Sequence, residues 1–284
     1  MSSIRERARE PLSEKTTRVL VIVLFSILVV IAIYPIIWLV INSFKSNVEL
    51  FTNSMGLPKT LRWANYERAW RFGIARYMVN SVVVTAATTF LVALLSTMAA
   101  YALSRFRFRG QGILLYIVLG GLMLAPEVSL IPLFRILVVL RIYNTYFAMI
   151  LPIMAFGIPF TTFLIRAYML GLPKDFEEAA VIDGANALGI FRHVIVPLSR
   201  PIIASAALLQ AMHVWNEFMF SLTFIESDRL KTLPIGIMAF SSTLDTNWPV
   251  VIAGLVMTAV PMIVLFLLTQ RAFIRGLTAG GVKG

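Results

Sequence analysis

The stretch Val19–Ile41, VLVIVLFSILVVIAIYPIIWLVI, runs for 23 residues without a charge. At about 1.5 Å of rise per residue, roughly 20 apolar residues cross the hydrocarbon core of a bilayer, so this run reads as a membrane helix. It is too long for the apolar core of a signal peptide and has no small-residue cleavage site, so it is expected to stay in the mature chain. Ahead of it lies a polar N-terminus, residues 1–18, carrying Arg5, Arg7, Arg9, Lys15 and Arg18. Further apolar runs follow at about 79–103, 112–134, 146–168, 200–224 and 248–270. Only helices and closed barrels satisfy their own backbone in lipid, and runs of this length are helical. The fold class is therefore all-α: a polytopic membrane protein with six transmembrane helices over residues 19–270. A tail, residues 271–284, follows them.

Composition agrees, since 59% of the 284 residues are hydrophobic and 14% charged, against about a quarter charged in soluble domains. The net charge of +11 does not indicate nucleic acid, because the basic residues sit in short loops between apolar runs, where they set topology. Fifteen Lys and Arg fall in the N-terminus, 104–111, 166–200 and the tail, against ten in the other three loops. That bias puts both termini in the cytoplasm. The absence of cysteine removes disulfides, thiolate catalysis and cysteine metal sites. His193 and His213 have no partner at ligand spacing, so no metal site is expected. With no H-E-x-x-H or G-x-S-x-G there are no candidate catalytic residues.

Inside the spans, Ser81, Thr85, Thr89, Ala93 and Thr97 recur every fourth residue, which gives a face of small side chains suited to close helix packing. Prolines at Pro35, Pro126, Pro132, Pro152, Pro159 and Pro261 each remove a backbone bond and are expected to kink or break their helices. In the segment 42–78, Trp63, Tyr66 and Trp70 fall on one helical face and predict a short helix on the membrane surface.

The interruption Met169–Ser199 is too long for a plain connector. Asp175 with Glu178 three residues on reads as a capping box, with Phe176, Ala179 and Ala180 on the apolar side. Gly184 then ends that helix, and a second is expected from Ala187 to about Val194, before Pro197 and Pro201 lead into the fifth span. Gly184 is expected to need a positive φ or a close backbone approach. Two short helices about a glycine turn make a knob, and exposed Ala and Phe on a chain otherwise in lipid make that knob a docking surface for a soluble partner.

At these residues the chain resembles a family. Glu178-Ala179-Ala180, three residues, Gly184, nine residues, then Val194-Ile-Val-Pro197 is similar to the EAA loop of ABC importer permeases, E-A-A-x3-G-x9-I-x-L-P, with valine for the Ile and the Leu. The phrase Leu172-Pro-Lys-Asp-Phe-Glu-Glu-Ala-Ala-Val-Ile-Asp183-Gly-Ala185 is similar to the form in carbohydrate importers. Asn65-Tyr66, Asn80-Ser81, Tyr101-Ala102, Ile131-Pro132-Leu133, Asn144-Thr145-Tyr146, Trp215-Asn216 and the tail from Gly276 to Gly284 extend the resemblance over nearly the whole chain, closest to the MalG-like half of maltose-type permeases. The resemblance implies a second, homologous permease subunit, two ATPase subunits docked on the EAA loops and an extracytoplasmic solute-binding protein. Glu178, Ala179, Ala180, Asp183, Gly184 and Pro197 would couple to the ATPases. The tail, through Thr278, Gly280 and Gly281, would reach them too. No cofactor is expected in this chain, with ATP and Mg held by the ATPase subunits. Gly184-Ala-Asn-Ala-Leu-Gly189 has the glycine spacing of a phosphate loop, but Ile190 and Phe191 follow it where Lys and Ser or Thr are needed.

Two carboxylates fall within the predicted spans, Glu127 in the third and Glu217 in the fifth beside Trp215 and Asn216. Carboxylates are costly in hydrocarbon, so these four residues are candidates for the translocation path, with a structural contact as the competing role. Trp215 would be able to stack on a sugar face. The alternative function, an ion-coupled secondary transporter or channel, would need coupled titratable groups or a selectivity filter instead of a docking loop.

Overall fold

A computed structural model describes the backbone over residues 14–243 and 247–279, and side chains over 16–238 and 247–270. The opening apolar run lies within α1 (Glu14–Ser43), and none of its most apolar stretch is buried inside the chain. Two short helices follow, α2 (Asn47–Thr52) and α3 (Ala64–Ala69), the latter continuing through a π turn, Trp70–Ile74, into α4 (Ala75–Arg105). Next come α5 (Gln111–Gly121), a 3-10 turn at Pro126–Ser129, α6 (Leu130–Val139) and α7 (Tyr146–Leu170). The knob is built from α8 (Asp175–Ile182) and a rod of α9 (Ala187–Ile190), a π turn (Phe191–Ile195) and α10 (Val196–Leu198). The last elements are α11 (Arg200–Trp215), α12 (Met219–Phe224), α13 (Leu233–Thr243) and α14 (Trp248–Ala279). All regular structure among the described residues is helical, as the sequence requires.

Among the described residues four stretches are long and apolar enough to cross a membrane as single helices: α1, the α3–α4 rod, α7 and α14. The expected third and fifth spans are bent pairs, at 95° between α5 and Pro126–Val139 and at 75° between Ala187–Leu198 and α11. The total is six when each pair counts as one. At the first bend Pro126 forces Ala125 out of the helical region, to φ −77 and ψ 124. The fifth span was expected to run 200–224, but its helix stops at Trp215 and α12 is a separate segment. Its helical continuation lies on the other side, in the knob. The prolines are also poorer markers of breaks than expected. Pro35, Pro152, Pro159 and Pro261 sit inside unbroken helices, since a long helix packed on neighbours tolerates one lost bond.

Contacts assign the two ends of the bundle. The end of α4 meets the knob through Arg105 and Glu177. Its start meets the segment after α12, where Asn80 Nδ2 donates to the carbonyls of Arg229 (2.9 Å) and Lys231 (2.8 Å) and its Oδ1 accepts from Tyr146 (2.7 Å). The Trp248 amide donates to Asn47 Oδ1, which places the start of α14 at the far end and its close at the knob end. The start of α1 and the close of α14 therefore both lie at the knob end.

Helices α4 and α7 form the centre, with α11 beside both. Val84, Met149, Ile153, Val214, Phe220 and Phe224 make the far-end core, and Ala100, Ile165, Met169, Ile195 and Ile202 the knob-end core. The small-residue face of α4 is inside, as expected: Ser81, Thr85 and Thr97 are buried and Thr89 and Ala93 half-buried. Ser81 Oγ accepts the Leu233 amide at 2.8 Å.

The surface helix expected at 63–70 is not separate, since α3 runs on into α4 with the turn at Gly73, φ +125. Trp63 and Trp70 are exposed, but Tyr66 packs on Phe44 and bonds Ser43 Oγ, while Asn65 is buried and donates to the Ser43 and Lys45 carbonyls. Close approach of α5 to α7 rests on Gly121, where an added Cβ would lie 2.7 Å from Pro159 Cγ, whereas Gly120 faces open space. Gly121→Ala is expected to destabilise the chain by about 1–3 kcal/mol through overpacking. Gly120→Ala should be neutral or slightly stabilising. Thermal unfolding of the two variants in detergent checks the difference.

Candidate functional site

The knob begins at α8. Lys174 stands at its N-cap with helical backbone, φ −80 and ψ −17, and makes no side-chain cap bond. Asp175 is thus already helical and cannot take the extended geometry of a cap, so the expected capping box is absent. Asp175, Glu177 and Glu178 instead crowd the first turn, where the helix dipole favours negative charge. The helix closes as expected on Gly184, φ +81. Its amide bonds the Val181 carbonyl and the Ala185 amide reaches back to Ala180, the two-bond pattern of a Schellman ending. The left-handed φ, not crowding, demands glycine, because an added Cβ would meet nothing within 4 Å. Asn186 then caps the second knob helix, its Oδ1 accepting the Gly189 amide at 2.8 Å. That helix runs to Leu198, four residues beyond the expected end, through the π turn at Phe191–Ile195.

Three side chains from the spans hold the knob, and none was singled out for this from the sequence. Arg105 Nε pairs with Glu177 Oε1 at 2.6 Å, both side chains being largely buried, and Arg105 Nη2 donates to the Leu172 carbonyl at 3.1 Å. Tyr101 donates to the Ala187 carbonyl and Tyr168 to the Leu198 carbonyl, each at 3.4 Å, gripping the second helix at both ends. Arg166 Nε donates to the Leu103 carbonyl, tying α7 to α4 just behind. Arg105 enters a sequence reading only as one more basic loop residue, and the pair joins positions 72 apart.

The outer surface of the knob is apolar and open. Glu178, Ala179, Asp183 and Gly184 are exposed and Ala180 and Pro197 half-buried. Around them Phe176, Val181, Leu188 (71% exposed) and Ile182 (85% exposed) stand out from the chain. A cleft of about 510 Å³ runs between α8 and the end of α4, lined by Arg105, Phe106, Lys174, Glu178, Ile182 and Ile190.

The translocation-path candidates divide between two breaks. Glu127 is exposed in the 3-10 turn between α5 and α6. Trp215, Asn216 and Glu217 come together where α11 ends. Trp215 is buried among Ala69, Ile74, Leu233 and Val250. One side of it borders an apolar cleft of about 510 Å³ between α4, α11 and α14, lined also by Thr85, Thr89 and Pro261. Asn216 is exposed and donates to the Met212 carbonyl. Glu217 accepts the amides of Phe220 (2.6 Å) and Ser221 (3.2 Å), so its carboxylate caps the start of α12. His193 Nδ1 lies 3.1 Å from the Gly189 carbonyl, a contact within its own helix, and His213 is exposed. Gly280 and Gly281 lie outside the described residues, as does the side chain of Thr278.

A bundle of membrane helices with an outward apolar knob is the architecture of a polytopic membrane protein, and its class follows from its relatives. The chain belongs to the family of binding-protein-dependent transport system inner membrane components, which it matches over residues 93–277, the permease class of ABC transporters. It is 48% identical over 261 residues to a probable ABC transporter permease protein, YurM, of Bacillus subtilis, covering 92% of this chain and 87% of that protein. It is 34% identical over 276 residues to the trehalose/maltose transport system permease protein MalG of Thermococcus litoralis, covering 95% and 99%. Among solved structures it superposes on a bacterial ABC transporter involved in the import of the acidic polysaccharide alginate, with a TM-score of 0.78, 25% identity and 93% and 98% coverage. The resemblance to MalG-like permeases is thereby established.

Two outcomes are expected from the site. Gly184→Val places a β-branched residue at positive φ, at a cost of about 1–2 kcal/mol, and should tilt the knob and cut transport while membrane insertion persists. Gly184→Asn, which tolerates that conformation in the same open space, should retain most function; transport and insertion assays on the pair check this. Glu217→Leu removes an acceptor for two amides and should lower transport, whereas Glu217→Gln keeps an oxygen for the cap and should transport well, a difference measurable by uptake at equal expression.

Proposed function

We propose that this chain is one of two permease subunits of an ATP-driven importer for a sugar or oligosaccharide, and that the knob is its coupling element. The observation that carries the reading is the exposed apolar tip, Ile182 with Val181 and Leu188, on a knob locked to the spans by buried polar contacts. A solvated connector would neither present such side chains nor need such anchoring. The carbohydrate class rests on relatives named for trehalose and maltose transport and on the alginate importer of like fold.

In this reading the knob faces the cytoplasm, and with it both termini of a bacterial inner-membrane protein. Two ATPase subunits hold ATP and Mg and dock on the knobs of this chain and of a second, homologous permease. This chain supplies no nucleotide site and the tail beyond Arg271 reaches the ATPases. A solute-binding protein delivers cargo at the far end. Half of the pathway is contributed here, with Trp215 and Asn216 at the break after α11 and Glu127 at the break after α5 as its polar and aromatic features. Closure of the ATPase dimer moves the knobs and exchanges inward for outward access.

Co-purification tests the docking. Wild-type chain should carry an ATPase subunit through detergent extraction, and Ile182→Asp should lose it, because a charge on a desolvated contact is left unpaired. The purified chain alone should show no ATPase activity. Uptake into vesicles should follow ATP and not an ion gradient; uptake driven by a gradient without ATP would reverse the reading.

A further inference from the structure

We infer that Arg105 and Glu177 form the positioning pair through which movement of the knob is delivered to α4, and that α4 carries it to the far end. The inference rests on the proposed docking of an ATPase on the knob. Three observations point to it. The pair is the direct ionic link between α8, the first knob helix, and any span; among the described residues the other two ion pairs lie within single far-end segments. It is shielded, with side-chain exposures of 6% and 16%, so neither water nor salt relaxes it as they relax a surface pair. The same guanidinium also holds the Leu172 carbonyl, just ahead of α8, so α8 and the chain leading into it are fastened to one residue, the last of α4.

From Arg105, α4 is unbroken back to Ala75 over 31 residues. Near its other end Asn80 grips the carbonyls of Arg229 and Lys231, and Ser81 the amide of Leu233. A displacement of α8 is thus applied to a stiff rod whose far end holds the segment between α12 and α13. Tyr101 and Tyr168 hold the second knob helix by weaker, neutral bonds at 3.4 Å. Glu178, the neighbouring carboxylate, is exposed, which leaves it to the docking side while Glu177 turns inward to the rod.

Because the chain has no cysteine, a single Ser227→Cys at the half-buried far-end segment gives a clean reporter. The complex is isolated through a tag on this chain, and labelling by a membrane-impermeant maleimide is timed without nucleotide and with ATP plus vanadate. The parent should retain its ATPase and change its labelling rate with nucleotide. Arg105→Ala is expected to shrink that nucleotide-dependent difference by roughly tenfold, within the range of ordinary couplings between sites, while the ATPase stays bound. The swapped chain, Arg105→Glu with Glu177→Arg, should recover most of it. A parent-like response in Arg105→Ala overturns the inference. If that variant sheds its ATPase, the swapped chain decides: restored binding and response support the pair, and a swapped chain that stays unresponsive, with or without its ATPase, overturns it. A parent that carries no ATPase at all would instead tell against the proposed function.

Discussion

A polar backbone group inside a membrane protein must find a partner in the protein, and the places where helices stop are where that demand is met by side chains. Several breaks in this chain are closed in that way. Asn65 takes the Ser43 and Lys45 carbonyls as α1 ends. Lys45, fully buried, spends its ammonium on the carbonyls of Asn53 and Ser54. Asn144, itself at φ +56, accepts the amides of Glu226 and Ser227. Glu217 caps α12, Asn80 holds the segment beyond it, and Arg105 takes the Leu172 carbonyl at the knob.

This explains what was legible in the sequence and what was not. Apolar run length alone places the spans, because hydrocarbon thickness leaves little freedom, and the Glu178–Pro197 spacing places the knob. The glycine at 184 was readable because a Schellman ending has a local signature. The third and fifth spans were misjudged in shape because hydropathy is blind to direction: the helices on either side of the Ala125–Pro126 bend, α5 and α6, are similarly apolar. Prolines misled for a related reason, since the cost of one missing bond is local while the bend depends on what packs nearby. The capping box failed because Lys174, one residue earlier, was already helical, a choice made by backbone geometry that side-chain types at 175 and 178 do not report.

The anchors of the knob were hidden for a different reason. Arg105 and Glu177, Tyr101 and Ala187, Tyr168 and Leu198 are each separated by an intervening stretch of chain, and nothing periodic links them. Glu177 and Glu178 are indistinguishable by composition, yet the roughly 100° turn between successive helical positions sends one carboxylate to Arg105 and leaves the other exposed. Assigning roles to the two therefore needs the direction of the helix relative to α4, which only the packing of Ile190, Ile195 and Met169 beneath it provides.

The same packing bears on how such a knob can act. An element that transmits displacement must be stiffer than the contact that drives it, and stiffness here comes from closure at every end: a left-handed glycine finishing α8, Asn186 starting α9, tyrosines on the first and last turns of the second helix, and an ion pair on the first. Beyond those ends the rod meets α11 at the 75° bend at Ser199. Pro197 and Pro201 flank it, and both lack the amide that would pull the two helices into line. The knob is thus fastened to α4 through its first helix and meets α11 across the bend, with Ile195 of the knob packed in one core with Ile202 and Ala206 of α11. Helices α4 and α11 also share with α14 the apolar cleft lined by Thr85, Thr89 and Trp215, so their packing sets its shape.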